Sequence, residues 1–177
     1  MAKIHTLKIK NFKGLQNFEQ EFGFTDFVCL IGRGDSGKTT ILEAISSVLS
    51  PSWNLTFYDT DFFNGNINQE IQIEVSLYDI PDELFNRNKF GLHKRCLNKN
   101  NKIIDDVSDD ELNDEIEILT IRLIVDKDLE PKWHVINERQ DPIEIKANDR
   151  SKLNLFLVSD YIDRHFFGVK GILYTLF

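Results

Sequence analysis

Gly32-Arg33-Gly34-Asp35-Ser36-Gly37-Lys38-Thr39 fits the phosphate-loop pattern G-x-x-x-x-G-K-[ST]. The spacing has a physical basis. Two glycines let the backbone wrap tightly, so successive N–H groups point inward and cradle phosphates. The Lys38 ammonium is placed to reach the β- and γ-phosphates, and the Thr39 hydroxyl to complete the shell of a Mg²⁺ ion. The flanks supply the context the motif needs. Phe27-Val28-Cys29-Leu30-Ile31 is a short apolar run that predicts a buried strand. After the loop, Ile41, Leu42, Ala44, Ile45, Val48 and Leu49 recur at helical spacing, and Pro51 stops that helix. Strand, glycine loop and amphipathic helix together set the phosphates at a helix N-terminus.

The chain has 177 residues, about one domain on size alone. Its net charge of −8 is uneven: residues 1–40 carry six Lys/Arg against four Asp/Glu, residues 41–177 fifteen against twenty-five. An acidic total argues against strong nucleic-acid binding by this chain alone. Cys29 and Cys96 are far apart and form neither a disulfide framework nor a metal spacing. The N-terminus lacks the apolar core of a signal peptide, and no apolar run approaches the roughly 18 residues of a membrane span. A cytoplasmic location and no membrane partner are therefore expected.

Residues 3–12 alternate as a half-buried strand, Asn11 to Gly14 form a turn, and Phe18, Phe22 and Phe24 predict a second strand paired with the first. Trp53, Phe57, Tyr58, Phe62 and Phe63 fall in an irregular stretch and are expected to pin it to the core, with base stacking as the functional alternative. Ile71, Ile73, Val75 and Leu77 mark the cleanest strand, followed by a short helix at 79–85. Six bases and no acid between Asn86 and Ile104, then eight acids and no base from Asp105 to Glu117, predict an exposed insertion at 86–115 whose halves neutralise each other. A DNA contact by the basic half is the alternative. A hairpin of 115–125 with 132–137, an extended piece at 143–145, a strand at 153–158 and the start of a helix at 168–177 complete the chain.

The first strand ending in Asn11-Phe12-Lys13-Gly14, a second strand and a phosphate loop within forty residues resemble the ATP-binding heads of the RecF, SMC and OLD (overcoming lysogenisation defect) proteins, which are ABC-type. The loop itself is most similar to that of OLD-type nucleases and Gabija-like antiphage ATPases. Residues 71–84 and Tyr161-Ile-Asp-Arg-His165 also resemble that group. The resemblance implies an α/β P-loop NTPase lobe with a mixed sheet, antiparallel N-terminal strands and a charged insertion. It implies ATP and Mg²⁺ as cofactors, a head-to-head homodimer in the complete protein, and DNA reached through other regions. The expected nucleotide contacts are Lys13, Gly32, Arg33, Gly34, Asp35, Ser36, Gly37, Lys38, Thr39 and Thr40, with Thr39 on Mg²⁺. Gly34 stands where asparagine is common in the family.

Parts of the family's machinery are missing. No glutamine follows the strand at 155–158, so Asp160 or Asp163 takes the place of the residue that senses the γ-phosphate. No signature helix is recognisable, and Arg122-Leu-Ile-Val-Asp126 is followed by Lys127 instead of a catalytic glutamate, so Asp126 is read as a hairpin acid. Residues 1–177 are accordingly expected to form an incomplete ATPase domain, the N-terminal lobe, that hydrolyses ATP only when completed. Two alternatives remain open. One is a GTPase or nucleotide kinase, although Asn98-Lys99-Asn100-Asn101 lacks the acid that reads guanine. The other is a non-catalytic scaffold that binds a partner through the charged insertion.

Overall fold

The computed structural model describes residues 2–98, 101–105, 116–153, 157–158 and 173–174. Alternation at the N-terminus becomes β1 (Lys3–Phe12), which pairs antiparallel with β2 (Leu15–Glu21) on one side and β3 (Ile71–Tyr78) on the other. β6 (Ile116–Val125) follows β3. Its far side pairs with β7 (Pro131–Ile136) along one half and with β4 (Arg95–Leu97) along the other. β5 (Ile103–Ile104) and β8 (Ile143–Glu144) extend those two branches. All eight strands run antiparallel, and a separate parallel pair joins β9 (Leu157–Val158) to β10 (Leu173–Tyr174). With helix α1 (Lys38–Val48) and the short α2 (Ala147–Ser151) the fold is mixed α/β, dominated by its sheet.

Register explains the two faces. Leu7, Val75, Ile121 and Val135 stand in one cross-strand row, and Ile9, Ile73, Leu123 and Trp133 in the next; all are buried. They form the face on which α1 packs through Ile41, Ala44, Ile45 and Val48. The row between them carries Glu19, Lys8, Glu74, Arg122, His134 and Glu144. Its ion pairs, Lys8–Glu19 and Arg122–Glu74, both at 2.7 Å, lie on the outer face. Over these rows a period of two sorts oil from charge, while towards the other end of β3 and β6 the second face is buried as well, around Tyr78, Leu97 and Ile118.

Several expectations are corrected. Phe27–Ile31 is not a buried strand: Phe27 is 73% and Ile31 91% exposed, and the run pairs with no described strand. An apolar run becomes a strand only where a neighbour takes up its backbone N–H and C=O groups. Residues 86–98 are not a loose insertion either. Phe90, His93, Cys96 and Leu97 are buried, and β4 joins the sheet. Arg95 meets Asp105 at 2.7 Å and Lys94 meets Glu117 at 2.8 Å, so the basic and acidic stretches do neutralise each other where they are described. Leu173–Tyr174 is extended instead of helical, as β-branched and aromatic neighbours favour. Of the aromatics, Phe57 and Phe62 pin their loop to the core, whereas Trp53 and Tyr58 are exposed.

His5 is buried at a register shift in β1, with Nδ1 2.7 Å from Thr6 Oγ1, the Phe24 ring at 5.5 Å, and Nε2 3.8 Å from Glu21. Burial pushes its pKa down, with the Glu21 charge opposing. The unfolded chain then binds a proton more readily than the folded one, so this contribution to stability is full above about pH 6.5 and is lost on acidification below it. Urea unfolding of wild type and His5→Gln between pH 5 and 8 tests this: the variant's stability should fall less steeply below about pH 6.5. Parallel profiles would assign the acid sensitivity to other groups.

Candidate functional site

The loop's backbone is set by local conformation. Asp35 (φ 59°) and Gly37 (φ 84°) are left-handed, and Gly37 ends the loop where α1 begins. A Cβ on Gly37 would also come within 3.2 Å of Leu15 Cδ2, so the loop's end rests closely on β2 and a side chain there would have to push the leucine aside. A Cβ on Gly32 would meet Ser36 Oγ at 2.6 Å. A side chain at Gly32 would have to displace the Ser36 hydroxyl, and Gly37 is favoured by its left-handed φ. Gly34 has open space around it.

No side chain caps α1, and its first turn carries no acid. The N–H groups at the start of such a helix lack intrahelical acceptors and the helix dipole places positive potential there, which is an anion site. Lys38 Nζ donates to Gly32 O at 2.9 Å, Arg33 O at 2.7 Å and Ser36 Oγ at 3.2 Å. All three ammonium protons are thus held by loop oxygens. Thr39 is exposed on the first turn and Thr40 half-buried beside it. This donor set fits a polyphosphate. Among the described residues no three metal-ligating side chains cluster, so a Mg²⁺ here would be held by the Thr39 hydroxyl and by the phosphates themselves.

Lys13 (φ 49°) lies beside α1, 2.6 Å from Glu43 and 3.7 Å from Asp61. Its N–H donates to Asp61 O at 2.7 Å. Asn11 (φ 55°) is buried and its amide donates to Gln69 O, so the turn after β1 clasps the 59–69 loop. A cleft of about 220 Å³ opens here between Lys13, Glu43 and Ser47 on one side and Leu55, Thr56 and Phe57 on the other. Thr39, Glu43 and Ser47 are spaced by four along α1, so the cleft lies on the helix face that begins at the loop.

Sequence reading missed Glu43 and Asp61, the two carboxylates that hold Lys13; neither belongs to a motif, and only the fold brings them together. Asp126 is the hairpin acid expected: it accepts from Asp128 N at 3.0 Å and from Lys132 Nζ at 2.8 Å. Those contacts hold its pKa below the usual carboxylate range. Asp160 and Asp163 lie outside the described residues. Among the described residues no helix is long and apolar enough to cross a membrane.

No curated protein matches the chain significantly. Among solved structures, an SMC ATPase studied for ATP-driven dimerization and DNA-stimulated activation aligns with a TM-score of 0.47 and 18% identity, over 85% of this chain and 74% of that one. A family model described as an AAA ATPase domain matches residues 2–165. A glycine loop closed by Lys38 at an uncapped helix, within a match that spans nearly the whole sequence, means that the chain belongs to the AAA ATPase domain family.

Proposed function

We propose that this chain is the phosphate-loop lobe of an ABC-type ATPase head of the OLD/RecF kind. It binds Mg-ATP through Gly32–Thr40, with Thr39 on the metal and Lys13 approaching from the first strand. Residues 1–177 form an incomplete head, and the complete protein dimerises through it in the cytoplasm and acts on DNA, in processing, repair or phage defence. The observation that carries the reading is the loop itself: an ammonium held against the oxygens of a glycine-rich loop at a helix N-terminus with no cap. The nucleoside part lies along α1 in the cleft between Ser47 and Leu55.

Two features support the incomplete head. Four of the five apolar residues that lead into the loop, Phe27, Val28, Cys29 and Ile31, are exposed, as a strand is when its neighbours belong to another lobe. Asp126, the acid that follows β6, is committed to its own turn. Without a carboxylate to position water and a partner to complete the charge clamp, phosphoryl transfer loses most of its stabilisation. This chain is thus expected to bind ATP and turn it over only in the completed dimer.

Thermal unfolding tests the binding. Mg-ATP at 100 times its dissociation constant should add about 2.7 kcal/mol, which for a chain of this size raises Tm by about 5–10 °C. GTP and nucleoside monophosphates should do less at equal concentration. An unchanged Tm with Mg-ATP leaves the loop as a scaffold, and an equal response to GTP points to a different nucleotide enzyme.

A further inference from the structure

Arg150 is 3% exposed, and carbonyl oxygens surround its charge. Nε donates to Ser50 O at 2.7 Å, Nη2 to Ser52 O at 2.8 Å and Nη1 to Ile145 O at 2.6 Å. The guanidinium carbon sits 3.9 Å from the centroid of the Trp133 ring, and Trp133 Nε1 donates in turn to Ser47 O at 3.2 Å. Burial pushes the Arg150 pKa down to about 10, with the Glu144 charge opposing.

The oxygens taken by Trp133 and by two of the three Arg150 bonds belong to one short stretch, the exit of α1. A helix end needs its last carbonyls satisfied, but water or a glycine cap does that routinely. Burying a guanidinium there is costly, and a flexible lysine could not span three oxygens with a fixed fork. What the fork adds is geometry. Ser47 lines the cleft beside α1, and Ser50 and Ser52 lie just before Leu55, Thr56 and Phe57, its opposite wall. The guanidinium and the indole together set where the chain leaves the helix and how it returns to face it.

We infer that Arg150 is a positioning residue for the nucleotide: with Trp133 it fixes the width of the cleft that takes the nucleoside part, and it leaves the phosphate loop untouched. This rests on the ATP reading given above. Its distinctive consequence is selectivity between two ligands. ATP uses loop and cleft, whereas inorganic tripolyphosphate uses the loop alone.

The experiment is isothermal titration of the 177-residue chain with Mg-ATP and with Mg-tripolyphosphate, for wild type, Arg150→Lys and Trp133→Phe. Arg150→Lys should raise the dissociation constant for Mg-ATP about tenfold and leave that for Mg-tripolyphosphate within about twofold. Trp133→Phe keeps a ring and loses the bond to Ser47, so it should move in the same direction by less. It decides the question alone if the arginine variant does not fold. Parallel weakening of both ligands, or ATP affinity unchanged, overturns the inference while the ATP reading stands. A wild-type chain that binds neither ligand overturns the ATP reading and the inference with it.

Discussion

Lys38→Ala is expected to weaken Mg-ATP binding at least about 100-fold while leaving the fold intact. Hydrogen bonds to a charged group contribute about 1.5–3 kcal/mol each, and two such bonds to the β- and γ-phosphates correspond to about 3–6 kcal/mol, or a factor of 100 or more. Among the described residues the same side chain bonds to loop oxygens, at Gly32, Arg33 and Ser36. Those contacts are solvent-accessible, so their loss should cost less than about 1 kcal/mol of stability. Fluorescent-ATP titration together with a thermal melt separates the two effects. A dissociation constant within about threefold of wild type would show that the loop does not hold phosphate through its lysine.

The largest stability loss is expected at Phe62→Ala. Phe62 is 1% exposed and forms a backbone bridge with Phe12, at the end of β1. It anchors the loop whose Asp61 carbonyl accepts from Lys13 and whose Asn66 and Gln69 carbonyls accept from Asn11. Truncating a buried phenylalanine leaves a cavity and costs about 3–5 kcal/mol, a large part of the roughly 5–15 kcal/mol that holds a domain together. Urea unfolding should show a lower midpoint with an unchanged slope. A loss under about 1.5 kcal/mol would mean that the loop collapses onto the space, and that Lys13 keeps its carboxylates without the anchor.

The strands that were legible in the sequence are those in which a period of two runs through a good part of the strand. β1, β3 and the β6–β7 hairpin alternate because one face is buried against α1 and the other carries charge, and that alternation survives in the letters. α1 was legible for the matching reason at period 3.6, with the glycine loop before it and Pro51 after it. What failed was inference from hydrophobicity without periodicity. Phe27–Ile31 has the composition of a buried strand, but burial depends on neighbours, which no local stretch can report. The converse held at 86–98: dense charge suggested a loop, yet three residues there, Arg95–Leu97, pair with the start of β6, and the arginine is neutralised by Asp105 across a turn. The phosphate loop was visible because its chemistry is contiguous. The clasp on Lys13 was not, because Glu43 and Asp61 reach it from 30 and 48 residues away.

The exposed run before the loop has a consequence for handling as well as for assembly. Phe27-Val28-Cys29-Leu30-Ile31 contains no charge, no proline and no glycine; four of its residues are exposed, and it pairs with no described strand. Such a segment is a template for a second copy of itself, strand against strand, and low net charge within it offers no repulsion. Cys29, a free and exposed thiol at its centre, makes any such encounter open to an intermolecular disulfide under oxidising conditions. Association through this run is therefore expected to rise with concentration and to be held back by reductant.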